Sequence, residues 1–378
     1  MTNGAYKTNQ VDKGACQMGV GSRAIRVDAC EKVTGGAKYT DDLRPANCLV
    51  AKVLLENILA KTDWEVDGFD IASTNLEPYE GENRFAFRKG DIFKDNEVLE
   101  AEVIKADAVI PLAGIAKPAY YIKKPVWTFE LDFEQNLKMV RLCAKHGKRI
   151  IFPSTSEVYG MSGDAELKED ESPLTTGPIV KMRWIYSCSK QMMDRMIMAY
   201  GQEQDLQYTL FRPFNWVGPR LDTFKDAEER QARSVTQMLY DIIYRRKISL
   251  VNGGEQRRSF TWIGDGIEGL TAIIRNEGNK ADSEIFNIGN PANNYSVKEL
   301  AELLIDEAKK FPKFREAAEA TELEIIPASA YYGKSYDDMQ NRLPSVKKME
   351  MKLGWKPKTG MREMLNKTIE WYAENEAR

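Results

Sequence analysis

A doubly wound α/β fold, with a parallel sheet covered on both faces and a smaller C-terminal lobe, is the class that this 378-residue chain predicts. Three observations carry that expectation. Short apolar runs alternate with helical stretches from about residue 63 onward, the pattern of strands joined by crossover helices. The run Ser154-Thr155-Ser156-Glu157 directly follows an apolar strand, and the carboxyl ends of parallel strands are where such sheets place ligand-binding residues. Tyr186 and Lys190 then stand four apart on a helical segment, so both side chains project from one face.

In chain order, residues 1 to about 45 are rich in Gly, Asn, Thr and Lys without a sustained period, and they read as a loop or poorly ordered arm. Ala51 to Leu54 runs straight into Leu55 to Lys61, which reads as the rest of a first helix. Strands are expected at Glu65 to Ile71, Arg84 to Lys89, Ala108 to Ala113, Arg149 to Pro153 and Tyr208 to Pro213. Helices are expected at Asp95 to Lys105, Trp127 to Lys145 and Arg183 to Gln202. After Ala227 the pattern is more mixed, with helices at Arg230 to Tyr244, Ser296 to Lys310 and Met361 to Glu374, and short strands at Ser249 to Val251 and Glu284 to Ile288. That mixture suggests a second, smaller lobe and a cleft between the two.

The bulk composition narrows the function. A formal charge of −3 with both signs interspersed leaves no basic stripe, so no nucleic-acid partner is expected. No apolar run approaches the roughly 18 to 20 residues of a membrane span, and Met1 to Gly21 lacks the basic-then-apolar plan of a signal peptide. The expectation is a cytoplasmic protein without a membrane partner. Cys16, Cys30, Cys48, Cys143 and Cys188 show no paired spacing, which suggests neither a zinc site nor a disulfide framework. His146 is the only histidine. Proton transfer therefore falls to tyrosine, lysine or carboxylate groups.

Chemistry can be assigned to the clustered residues. The Lys190 ammonium is expected to favour the Tyr186 phenolate, lowering its pKa from about 10 so that it can take a proton as a hydride leaves the adjacent carbon. Taken alone, a Tyr-x-x-x-Lys pair also suits a surface helix. The upstream hydroxyls give it company, because they can hold a substrate oxygen near the tyrosine. Asp70, at the end of the run Glu65 to Ile71, is placed to accept hydrogen bonds from an adenosine ribose, which favours NAD. An aspartate at that place is also a common turn former.

Residues from about 55 to 375 resemble the extended short-chain dehydrogenases of the NAD-dependent epimerase/dehydratase family. Within them the chain is most similar to the UDP-glucuronate oxidative decarboxylase domain of the bifunctional enzyme that makes aminoarabinose for lipid A modification. The resemblance rests on Phe152-Pro153-Ser154-Thr155-Ser156-Glu157-Val158-Tyr159-Gly160, Arg183-Trp184-Ile185-Tyr186-Ser187, Leu210-Phe211-Arg212-Pro213-Phe214-Asn215-Trp216 and Tyr331-Tyr332-Gly333-Lys334. It implies that Thr155, Ser156, Tyr186 and Lys190 serve oxidation of the sugar 4-hydroxyl, that Glu157 is an acid–base group, and that Arg342 supplies a proton after carbon dioxide leaves. It implies that Ala116, Tyr121, Arg183, Asn215, Arg258 and Tyr336 hold the UDP-sugar, that Asp91 and Ile92 lie near the adenine of NAD, and that the chain self-associates through helices such as Trp127 to Lys145. Without the resemblance, Glu157 and Arg342 read as a solvated ion pair. Ser249 departs from the pattern, standing where the close relative has a lysine among its sugar contacts.

A second departure concerns the start of the fold. In this family the first strand runs into Gly-x-x-Gly-x-x-Gly, whose glycines let the backbone approach the cofactor pyrophosphate. Here no such loop lies between Ala51 to Leu54 and Leu55 to Lys61, and Gly14, Gly19, Gly21, Gly35 and Gly36 have other spacings. The Rossmann-like sheet is thus expected to lack its first strand and Gly-rich loop, or to use Leu49 to Leu54 as an imperfect substitute. Residues 19–54, especially Glu31 to Asp42, resemble the start of the molybdenum-binding subunit of xanthine dehydrogenases and aldehyde oxidases, which points to a fusion near Val53 to Leu55. The expected division is a foreign arm at 1–54, an NAD-binding domain at 55–226 and a mainly substrate-binding lobe at 227–378. Three activities fit: oxidative decarboxylation of UDP-glucuronate, a related epimerase or UDP-xylose-forming decarboxylase, or non-catalytic binding of a UDP-sugar. A molybdenum hydroxylase has no further motif to support it.

Overall fold

Straight-chain helix formers dominate Cys48–Lys61, and this segment forms helix α1. Its Leu54 and Ile58, one turn apart, are buried in a cluster with Ile263, Ile267 and Leu270. Leu49 to Leu54 is therefore helical and does not stand in for the first strand: spacing of three and four residues, not alternation, is what its apolar side chains satisfy. The helix also crosses the expected junction at Val53 to Leu55 without a break. The computed structural model describes residues 48–73, 76–116, 118–327 and 339–376. Arg44–Arg378 forms one unit by its internal contacts, and most of the segment resembling the molybdenum subunit lies outside the described residues.

The strands are β1 (Val66–Asp70), β2 (Phe85–Lys89), β3 (Ala108–Val109), β4 (Arg149–Pro153), β5 (Tyr208–Pro213), β6 (Trp216–Val217), β7 (Lys247–Val251), β8 (Arg257–Ser259), β9 (Thr261–Trp262), β10 (Glu284–Ile288), β11 (Asn294–Ser296), β12 (Glu322–Ile326) and β13 (Asn341–Arg342). A four-stranded parallel sheet has the order β10-β5-β4-β3, and β1 with β2 forms a separate parallel pair. Strand β4 is buried along its whole length, as a central parallel strand must be. Ile150 and Phe152 point into a cluster with α2 (Asn136–His146) and α3 (Trp184–Gln204). Ile151 points the other way, toward α1 and α4 (Ile263–Arg275). The strand period of two thus loads both faces.

The two parallel groups share these layers. Val66 and Ala108 pack with Ile151, whereas Phe69 and Val109 pack on the opposite face with Ile150 and Phe152. Among the described residues no strand pairs with the outer edge of β1 or of β3. In the doubly wound order the first strand lies between the second and the fourth, so the interruption falls where the sequence lacks its opening strand.

Several expected elements change length. Strand β3 stops at Val109, short of Ala113; Pro111 brings no N–H to a ladder. The expected helix Trp127 to Lys145 is three segments, Pro125–Phe129, a wide π turn at Glu130–Gln135, and α2. Arg230 to Tyr244 is helical only at Ser234–Tyr240, followed by another wide turn at Asp241–Arg245. Glu284 to Ile288, placed by sequence in the smaller lobe, returns as β10 to pair with β5. The rest of the C-terminal part is held by β12 on β7 and by the three-stranded group β11-β8-β13. Ser296 caps the helix Val297–Ala308 with Glu299 closing the capping box. No helix among the described residues is long and apolar enough to cross a membrane.

Candidate active site

The site is built at the carboxyl end of β4. Pro153 ends the strand, and Thr155 adopts extended backbone as cap of a single 3-10 turn, Ser156–Tyr159, its Oγ1 accepting from Glu157 N–H at 3.2 Å. Gly160 follows at φ 56°, and a Cβ there would lie 1.9 Å from the Thr175 carbonyl oxygen. The turn is thereby pressed against the segment at Thr175. From the facing side, α3 brings Tyr186 and Lys190, both buried. Thr155 faces the Tyr186 phenol closely enough to favour its ionised form. Lys190 Nζ donates to the Pro153 carbonyl at 3.1 Å, lies 3.7 Å from Asp132 Oδ1, and sits 4.7 Å from the Phe152 ring centroid. Thr155, Glu157, Tyr186 and Lys190 are thus brought together, and the neighbouring Ser156 is buried in the same turn.

Glu157 is clamped. Arg183 Nη2 approaches its Oε2 at 2.5 Å and Arg342 Nη2 its Oε1 at 2.6 Å. Arg342 arrives on β13, which pairs with β8 so that Arg342 lies opposite Arg258. Burial alone would raise the Glu157 carboxyl, but Arg183 and then Arg342 override it and hold it down at about 2. The solvated ion pair read from sequence is thus a buried one, with Arg183 as an additional partner.

The tyrosine behaves differently from expectation. Burial, and then the charges of Asp132 and Glu157, push the Tyr186 phenol above its ordinary value, while Thr155 and Arg342 oppose them. Lys190 lies 6.0 Å from the ring centroid, and its own pKa is lowered by burial against the pull of Asp132 and Asp194. The lowered tyrosine pKa predicted from the Tyr-x-x-x-Lys spacing is corrected on this point: desolvation outweighs the nearby ammonium.

The expected sugar contacts gather around the same turn in part. Tyr121 is buried and stacks on Tyr186, with ring centroids 4.6 Å apart and planes 5° from parallel. Ala116 ends the described part of the loop after β3. Asn215, at φ 32°, donates to the Ser259 carbonyl at 3.1 Å, and Arg258 Nη1 donates to the Arg257 carbonyl at 2.7 Å. Tyr336 and the string Tyr331 to Lys334 lie outside the described residues. Asp70 ends β1, and its Oδ1 accepts from Ala72 N–H at 3.2 Å. Asp91 accepts from Phe93 N–H at 2.9 Å and pairs with Lys94 at 2.8 Å, and the Ile92 carbonyl accepts from Lys138.

Residues that the sequence reading passed over complete the site. Asp132, fully buried in the π turn, accepts from Ile115 N–H through both oxygens at 3.2 Å and faces Lys190. Behind the turn, Asp194 accepts from Ser154 Oγ at 2.8 Å and pairs with Arg212 at 3.1 Å, while Arg212 donates to the Tyr159 hydroxyl at 3.0 Å. The signal available for Asp132 was a carboxylate between Leu131 and Phe133 in an otherwise core-facing stretch. His146, by contrast, pairs with Glu100 at 2.6 Å in the last turn of α2.

For NAD the fit is partial. Asp70 at the end of β1 suits a ribose, and Tyr186 with Lys190 suits the reacting end, but the sequence ahead of α1, which lies outside the described residues, holds no Gly-x-x-Gly-x-x-Gly. The chain is similar to the crystal structure of the PbgP3 protein from Burkholderia pseudomallei, at 44% identity over 87% of this chain and 95% of that one, with a TM-score of 0.78. A UDP-glucose 4-epimerase from Thermotoga maritima with UDP-glucose, 20% identical over 86% of this chain and 96% of its own, shares the fold at a TM-score of 0.69. So does the dTDP-glucose 4,6-dehydratase DesIV from Streptomyces venezuelae with NAD bound, 21% identical over 87% and 95%, at 0.72. Residues 46–289 match the family described as NAD dependent epimerase/dehydratase, a span beginning upstream of the junction expected at Val53 to Leu55. With α1, the parallel sheet and the strand-end turn all inside that span, the chain belongs to the NAD-dependent epimerase/dehydratase family, whose cofactor is NAD.

Proposed function

We propose that this chain acts on UDP-glucuronate, oxidising the sugar at C4 and releasing carbon dioxide to leave a UDP-4-keto-pentose. The observation that carries the reading is Arg342, delivered by a separate C-terminal strand to within 2.6 Å of Glu157, beside Tyr186. When bound, NAD supplies the acceptor for the hydride that leaves C4. Thr155 and Ser156 orient the 4-hydroxyl, and its proton passes to Tyr186 in the phenolate form, a form that burial disfavours and that the Lys190 cation favours. The resulting ketone is β to the sugar carboxylate, so loss of carbon dioxide leaves its electron pair in an enolate. A fixed guanidinium stabilises that developing charge, and Arg342 is the proton donor to the carbon. Glu157, held ionised by two guanidinium groups, acts as an acceptor that keeps Arg342 and Arg183 in place. Tyr121, Arg183, Asn215, Arg258, Ala116 and Tyr336 are assigned to the UDP-sugar, and Asp70, Asp91 and Ile92 to the adenosine end of NAD.

A second reading, a UDP-sugar binder without catalysis, is favoured by one observation. The sequence ahead of helix α1 holds no Gly-x-x-Gly-x-x-Gly, and that turn is what brings backbone N–H groups to a pyrophosphate. Calorimetric titration with NAD and with UDP-glucuronate, followed by absorbance of NADH in the mixture, separates the alternatives. Binding of both with NADH and carbon dioxide formed is the expected result. Sugar binding without NAD binding would replace it with the second reading. Turnover without net NADH would instead mark an epimerase or a UDP-xylose-forming decarboxylase.

A further inference from the structure

We infer that Asp132 is a positioning residue of the site: its buried carboxylate fixes the Lys190 ammonium beneath Tyr186 and at the same time clamps the loop that carries Ala116. The inference rests on the functional reading above only for the reaction that it serves. Its geometry stands apart from that reading.

Asp132 is fully buried, and its surroundings account for each of its bonds. Both oxygens accept from Ile115 N–H at 3.2 Å, and Oδ1 lies 3.7 Å from Lys190 Nζ. One turn on, Asn136 Nδ2 donates to the Ala113 carbonyl at 3.2 Å, and to the Leu131 and Asp132 carbonyls of its own segment. Asp132 lies in the π turn Glu130–Gln135, and Asn136 is the first residue of α2 directly after it. Such a turn re-aims successive side chains, and π turns recur at functional sites. Here it directs a carboxylate and an amide at one short loop, pinning Ala113 and Ile115.

The charges agree with this role. Burying a carboxylate is costly unless it is paired, and Asp132 is pushed up to about 7 by burial, with Lys190 and the Ile115 bond opposing. Lys190 is lowered by burial, while Asp132 and Asp194 hold its proton on. The other ionisable groups facing this pair are Asp194, which acts on the lysine, and Tyr186 and Tyr121, which feel the Asp132 charge. Asp132 is the group in this set that also bonds the loop leading to Ala116, through Ile115 N–H.

Asp132→Asn tests the role, because the amide keeps one oxygen to accept from Ile115 while it loses the charge and replaces the second acceptor by an NH2 donor. Isotope-edited NMR of labelled lysine side chains, with Lys190→Arg assigning the resonance, reads the lysine without substrate or cofactor. In Asp132→Asn, Lys190 is expected to lose its proton at a pH lower by about one unit or more. With UDP-glucuronate and NAD, kcat is expected to fall more than about tenfold while KM stays within about twofold. An unchanged lysine titration overturns the inference whether or not the protein turns over. Absence of turnover in the unaltered chain with the lysine shift intact defeats only the functional reading. Should the variant fail to fold, the unaltered protein decides: the Asp132 carboxyl and Lys190 must respond to pH together, and independent titrations overturn the inference.

Discussion

At the residue scale the site is governed by how burial sets charge. Glu157 keeps its negative charge because two guanidinium groups, at 2.5 and 2.6 Å, outweigh its desolvation. Its carboxyl is held at about 2 in the folded chain, below the ordinary 4.5, so the folded state binds the proton more weakly than the unfolded one. The resulting stabilisation is complete above the ordinary value and is lost as pH falls through the folded one. Glu157→Gln is therefore expected to cost about 3 kcal/mol at neutral pH, and the difference between variant and parent should shrink by more than half near about pH 3. Urea unfolding at the two pH values checks this, and a difference independent of pH would show that the ion pairs do not carry it. Thr155, Glu157, Tyr186 and Lys190 were legible in the sequence because they lie in two short strings fixed to one strand end and one helix. The raised Tyr186 was not, because spacing shows the nearby ammonium but not the burial, nor Asp132 arriving from another segment.

At the element scale, local pattern located the sheet strands and longer helices well, and failed where tertiary neighbours decide. Strand β4 reads as five buried residues in both sequence and structure, since a parallel strand covered on two faces needs an unbroken apolar run. The π turn at Glu130–Gln135 was not legible in the sequence, because a single widened turn is too short to show a period of its own. Gly160 is the element-scale position that couples the Ser156–Tyr159 turn to its support. Its φ of 56° disfavours any side chain, and a Cβ would meet the Thr175 carbonyl at 1.9 Å, a backbone atom that cannot rotate away. Gly160→Ala is expected to lower stability by roughly 2 kcal/mol or more, and to disturb the 3-10 turn bearing Ser156 and Glu157. A melting curve superimposable on the parent's would mean that the Thr175 segment yields without cost.

At the scale of the whole molecule, the described strands form a sheet in two pieces, divided where the sequence lacks the family's opening strand. The β10-β5-β4-β3 group and the β1-β2 pair share both apolar layers, yet no described strand joins β1 to β3. A strand removed from the middle of a parallel sheet leaves two edges with unpaired N–H and C=O groups. It also leaves Val66, Phe69, Ala108 and Val109 only half-buried, while Ile150, Ile151 and Phe152 are fully enclosed. Opening of the β1-β2 pair then breaks one ladder and few apolar contacts, so it costs less than global unfolding. Native-state hydrogen exchange should accordingly find two classes. Amides of Ile151, Phe152 and Leu210 exchange only through global opening, and those of the β1-β2 ladder and of Val109 exchange at least about 100-fold faster. Equal protection across both groups would mean that the edges are covered by a segment outside the described residues, and the sheet would then be continuous in solution. The same measurement bears on NAD, because the strand that would close this gap is the one that carries the pyrophosphate turn in a doubly wound sheet.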